Sequence, residues 1–228
     1  MKDLFTKDDI NNYLSEINDR LCAIDKHGSI IMAGGAVLTT LFNARESTRD
    51  IDGMFQPSPE MRKIISDMAN AHNLPADWLN DGVKGFLTDK MDTDVYKEFS
   101  NLSVYTVNTE SLLAMKLISA RPESWDLSDS VTLMKALNIR NIEEVYAIVE
   151  KRTVEKQRTI NSHFFIQTAF AEYEKLQVAT APPQRVVSQK TTNYDTLLAD
   201  AQAQADVINA ARHAATPVQV KQSHDVEI

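Results

Sequence analysis

With 228 residues, a formal net charge of −8, 43% hydrophobic and 25% charged residues, the chain has the make-up of an ordinary soluble protein, sized for one generous domain or one domain with a tail. The acid surplus excludes a generic nucleic-acid coat, and a single cysteine, Cys22, excludes an internal disulfide and a cysteine-built metal site. No apolar run reaches membrane length, and the opening MKDLFTKDDI is too acidic and too broken for a secretory leader, so a cytoplasmic protein with no membrane partner is expected.

Thr6 precedes Asp8, Asp9 and a helical repeat of apolar residues at Ile10, Tyr13, Leu14, Ile17, Leu21 and Ile24, with Cys22 expected as core filler. A short apolar strand is predicted at Ile30 to Ala33, then a Gly34-Gly35 turn, a helix over about Ala36 to Phe42, and a second strand carrying Asp50-Ile51-Asp52. Side chains alternate across a strand, which puts Asp50 and Asp52 on one face and sends Ile51 to the core. Neighbouring carboxylates repel unless a cation sits between them, and magnesium is commonly held by one or two carboxylates together with substrate phosphates. Two residues without Cβ would let a phosphate approach the backbone at Gly34-Gly35.

Past the turn Gln56 to Pro59, Glu60 to His72 reads as a helix with one buried face through Met61, Ile64, Ile65, Met68 and Ala69. Pro75 and Asp77 read as helix-start chemistry, with Trp78, Leu79, Val83 and Phe86 on an apolar side and Asn80, Asp81 and Lys84 on another. Lys84 is either a phosphate contact or a surface residue. Thr88 to Ser100 reads as a loop, and Leu102 to Val107 as a third strand. Helices follow from Asn108-Thr109-Glu110, from Trp125-Asp126 to about Leu137, from Asn141 with Glu144, and over Asn161 to Leu176, where Phe164, Phe165, Ile166, Phe170 and Tyr173 are expected to be covered. The cluster Lys151, Arg152, Lys156 and Arg158 is either a solvated helix end or a grip on an RNA backbone. Lone His163 reads as structural. From Gln177 onward the Gln-, Ala- and Pro-rich composition cannot build a core and reads as a mobile tail.

Glycine turn, helix and acid-apolar-acid strand, in that order and spacing, resemble the nucleotidyltransferase superfamily with its polymerase-beta-like fold. The resemblance implies an α+β protein: a small mixed sheet with flanking helices over residues 1–107, a helical half over 108–176, and the tail at 177–228. It makes Asp50 and Asp52 ligands of Mg2+ or Mn2+, and Gly34, Gly35 and Ser47 contacts of a nucleoside triphosphate. The run LPADWLNDGVKGF is similar to a small bacterial group of nucleotidyltransferase-like proteins, over about Ile30 to Val149. Leu-Leu-Ala-Met-Lys-Leu, Ala120-Arg121, Asp126 and Asp129 resemble the helical half of toxin nucleotidyltransferases of abortive-infection systems.

That second resemblance implies a nucleotide site completed by Lys116 and by Asp129 or Asp126, with Arg121, Asp81 and Lys84 as further candidates. Asp129 is expected to help activate an acceptor hydroxyl. An RNA or protein acceptor and a cognate antitoxin or partner protein are the implied partners. Two departures stand out: the arginine usual before the first of these aspartates is Trp125 here, and the third strand carries no carboxylate. Asp81, Asp94, Glu98 and Glu110 are the candidates to replace that carboxylate. The departures leave two expectations, a metal-dependent nucleotidyltransferase and a catalytically inactive binding or regulatory partner of the same fold.

Overall fold

The computed structural model describes residues 2–119 and 125–180, with side chains through Gln177. Residues 1–181 form one compact unit. The tail expected from Gln177 falls almost wholly outside the described residues, as does Arg121.

Strand β1 (Phe5–Thr6) leads directly into α1 (Lys7–Ala23), and the junction is a capping box in which Thr6 and Asp9 satisfy each other's backbone N–H groups. The helix buries Ile10, Leu14, Ile17 and Leu21 but leaves Cys22 exposed. Cys22 lies one residue past the buried stripe, so it is not the core filler expected. Ile24 is exposed as well, because it forms the C-cap where the helix has already ended.

The main sheet has five strands, Leu79–Asn80 (β5), Ile51–Gln56 (β4), Gly28–Met32 (β2), Leu102–Val107 (β7) and Thr93–Glu98 (β6), in that order. β2 (Gly28–Met32) at its centre pairs antiparallel with β4 (Ile51–Gln56) and parallel with β7 (Leu102–Val107). Between β2 and β4 run α2 (Gly34–Thr40) and the short β3 (Ser47–Thr48), which pairs with β1. α3 (Ser58–His72) covers the sheet with the apolar face expected of it.

Two segments differ from the sequence reading. Around Pro75 there is a turn, then β5 (Leu79–Asn80) and a 3-10 turn at Gly82–Gly85, in place of a helix. The sheet edge claims this segment: the Ile51 amide donates to the Trp78 carbonyl, while the fully buried Trp78 indole donates to the Ile65 carbonyl of α3. Phe86 is left exposed. Within the expected loop 88–100, β6 (Thr93–Glu98) pairs antiparallel with β7, with a bulge between Val95 and Lys97. This edge strand shows no buried alternation, since nearly all of it faces solvent, and so gives no period in the sequence.

The helical half comprises α4 (Thr109–Ser119), α5 (Asp126–Ala136), α6 (Ile142–Arg152) and α7 (Ile160–Thr180). α4 is buried along nearly its whole length, because α5, α6 and α7 all pack on it. Asn141 caps α6 by accepting from the Glu144 amide. α7 buries Phe165, Ile166, Phe170 and Tyr173, whereas Phe164 is exposed, contrary to expectation, on the outer side of the helix. His163 stacks on Tyr146 and hydrogen-bonds its hydroxyl, a structural role. Among the described residues, no helix is long and apolar enough to cross a membrane.

Candidate functional site

A cleft of about 1050 Å3 is lined by Gly34, Gly35, Arg45, Glu46, Ser47, Arg49, Asp50, Asp52, Lys116, Ser119, Trp125 and Asp126, with others. Its volume suits a nucleotide-sized ligand. One wall comes from the turn into α2 and the connector to β4, the other from α4 and the start of α5.

Ile51 opens β4 and is buried, while the flanking Asp50 and Asp52 are half-buried and both line the cleft, as alternation requires. Asp50 accepts from the Asn80 side-chain amide at 3.4 Å. The Asp52 carboxylate has no hydrogen-bond or ion-pair partner among the described residues, although it stands in a partly desolvated cleft. Such a carboxylate suits a cation.

The glycine pair has steric reasons that the sequence did not reveal. Gly34 has φ +61, and a Cβ there would stand 2.7 Å from Asp52 Oδ2. A Cβ on Gly35 would stand 2.4 Å from Thr48 Oγ1. The pair therefore lets β3 and the Asp52 carboxylate close against the start of α2.

On the opposite wall, Lys116 Nζ lies 2.7 Å from Asp126 Oδ1 and 2.9 Å from Asp129 Oδ2. The Ser119 hydroxyl donates to Asp126 Oδ2 at 2.8 Å. The lysine side chain is 10% exposed and that of Asp129 only 3%. Arg45 Nη2 also pairs with Asp129, and its guanidinium carbon lies 5.6 Å from the centre of the Trp125 ring. Buried Lys116 and half-buried Arg45 thus both face the buried Asp129, and Lys116 also faces the buried Asp126. Lys116 and Asp126 line the cleft with Asp50 and Asp52, whereas Asp129 stands behind Lys116 and Arg45.

Arg45 had no signal of its own in the sequence, since it sits in the irregular connector after α2, but it brings a guanidinium to the helix whose expected arginine is Trp125. Arg49 was also missed. It lines the cleft beside Asp50, exposed and with no ion-pair partner among the described residues.

Asp81 and Lys84 pair with each other, Arg62 joins the same carboxylate, and neither lines the cleft, although Gly82 and Val83 between them do. The Lys84 ammonium first, then Arg62, hold the Asp81 carboxyl below the usual carboxylate range. The β7 positions sharing the Asp52 face, by way of the Ile31 pairings with Met54 and Tyr105, are Ser103, Tyr105 and Val107. None is acidic. Asp94 pairs opposite Thr106 on the other face, Glu98 accepts from Ser103, and Glu110 binds Lys151 and Arg152. Among the described residues, no group of three or more His, Cys, Asp or Glu side chains could hold a metal by itself. The pair Asp50 and Asp52 fits magnesium in the form that takes its remaining ligands from phosphates and water.

The Lys151 and Arg152 part of the basic cluster is consumed internally. Arg152 is buried and pairs with Asp92 and Glu110.

A family model described as a nucleotidyltransferase of unknown function (DUF6036) matches residues 6–177. Neither a curated protein nor a solved structure matches the chain.

Proposed function

The chain belongs to this nucleotidyltransferase family of unknown function, and from that premise we propose that it is a metal-dependent nucleotidyltransferase that moves a nucleoside monophosphate from a nucleoside triphosphate to an acceptor. The observation that carries the reading is the meeting of Asp50, just before β4, and Asp52, within it, with Lys116 from α4 in one cleft that also contains Ser47 and the Gly34-Gly35 start of α2.

Asp50 and Asp52 would hold Mg2+ or Mn2+, which would supply charge neutralisation on the phosphates. Gly34, Gly35 and Ser47 border the phosphate path. Arg49, with no carboxylate on it among the described residues, is the cation with charge to spare for the triphosphate, and Lys116 adds to it while tied to Asp126. An acceptor hydroxyl oxygen bonds to the α-phosphorus while its proton passes to water, the bond from that phosphorus to the bridging oxygen of the β-phosphate breaks, and pyrophosphate leaves. Asp129, shielded by Lys116 and Arg45, serves to position those two cations. Similarity to toxin nucleotidyltransferases supports an RNA or protein acceptor and a place in a toxin-antitoxin or defence pair.

A second reading has its own observation: with no acid on the β7 face beside Asp52, the cleft binds metal and nucleotide without transfer. Both readings predict that magnesium with a nucleoside triphosphate raises the melting temperature, and that Asp50→Ala with Asp52→Ala abolishes the rise. Only the first predicts label passing from an α-labelled nucleoside triphosphate to cellular RNA or protein. A rise without labelled product selects the binding reading, and an unchanged melting temperature at millimolar nucleotide and metal rejects both.

A further inference from the structure

Building on the nucleotide site proposed above, we infer that Trp125 is the platform on which the nucleotide base stacks. The two tryptophans contrast sharply: Trp78 is 0% exposed and hydrogen-bonded in the core, whereas Trp125 is 68% exposed on the wall of the cleft that contains Asp50 and Asp52. A large aromatic side chain left in water forfeits its burial energy, so its position calls for a reason.

The local fold does not supply one. Trp125 is the N-cap of α5 and contributes there through its carbonyl, which accepts from the Asp129 amide at 2.9 Å and the Ser128 hydroxyl at 3.0 Å. Any residue brings that carbonyl.

The indole contacts Arg45. This guanidinium is anchored by the buried Asp129, and one of its terminal nitrogens would lie 3.4 Å from a Cβ on Gly35. Arg45 therefore spans from the glycine turn to the ring, which holds the platform one guanidinium away from the phosphate wall. A cation on the ring is attracted by its π-electrons and fixes the ring's orientation. The rest of the indole remains open to a second flat partner. Every base has a π-face, so such a platform accepts all four nucleotides with preferences set by stacking strength.

The test compares two ligands with the full chain. ATP carries a base and tripolyphosphate does not, and dissociation constants for each are measured with magnesium by calorimetry. Stacking predicts that Trp125→Ala weakens ATP by about 5- to 150-fold and leaves tripolyphosphate within about twofold, while Trp125→Phe stays near wild type for both. ATP should also alter the intrinsic fluorescence of the wild type and not that of Trp125→Phe, whose remaining indole is buried.

Equal weakening of both ligands would mean that Trp125 acts only by holding Arg45, which overturns the platform. So would wild-type protein that binds ATP no more tightly than tripolyphosphate, even if Trp125→Ala fails to fold. Wild-type protein that binds neither ligand rejects the nucleotide site itself, and the platform with it.

Discussion

Lys116 ties α4 to α5 on the helical wall of the cleft. Its ammonium bonds Asp126 and shares Asp129 with Arg45. Lys116→Ala takes a charge-assisted hydrogen-bond donor from two buried carboxylates, a loss of about 2 kcal/mol, or roughly 4 to 8 °C in Tm for a domain of this size. Thermal melts of the wild type and the variant measure it. An unchanged Tm would mean that the pair contributes nothing to stability. The sequence singled out Lys116, Asp126 and Asp129 through motif spacing, but ion pairing across elements has no periodic signature, so their mutual capture was not legible. Arg45 was illegible for the same reason: its partner is 84 residues away.

Between elements, Glu110 ties the first turn of α4 to the last turn of α6 through Lys151 and Arg152, at 2.9 and 2.7 Å. The Lys151 hydrogen bond first, then that of Arg152, hold the Glu110 carboxyl below its ordinary value. Because its folded pKa is lowered, its stabilisation is fully present above the unfolded pKa of about 4.3 and is lost as pH falls through the folded value. Urea unfolding should therefore show Glu110→Gln less stable than wild type at pH 7, with the difference shrinking below about pH 4. A difference independent of pH would rule out the ionised contact as its cause. At this scale the fold is legible in the sequence where burial is one-sided, as in α1 and α3, whose stripes repeat at helical spacing. It is illegible at the two sheet edges. β6 is exposed on nearly all its length, and β5 follows Pro75 and Asp77, residues that favour a helix start locally but are overridden by pairing with Ile51.

For the molecule as a whole, residues 1–181 carry the sheet, the cleft and all the helices described. A chain ending at Ala181 should unfold cooperatively in urea, with a midpoint near that of the full-length protein. Cutting after Leu176 removes Gln177, which donates to the Tyr173 hydroxyl at 2.7 Å, while Tyr173 in turn donates to the Ile139 carbonyl at 2.9 Å. The shorter chain should melt lower than the one ending at 181. Aggregation or a broad transition in the longer chain would show that 182–228 are needed for folding.

The parallel pairing of β2 with β7 also sets an order in time. β2 and β4 lie close in sequence, so their antiparallel pairing closes a shorter loop than the pairing of β2 with β7. β7 must then cross back to the centre of the sheet to lie beside β2, with Gly28 opposite Leu102, and only afterwards can α4 bring Lys116 to the cleft. Closing so long a loop is slow compared with forming a local turn. A nascent chain released before α4 thus carries the paired aspartates but no opposite wall, so the metal-binding half of the proposed site is synthesised well before a complete cleft.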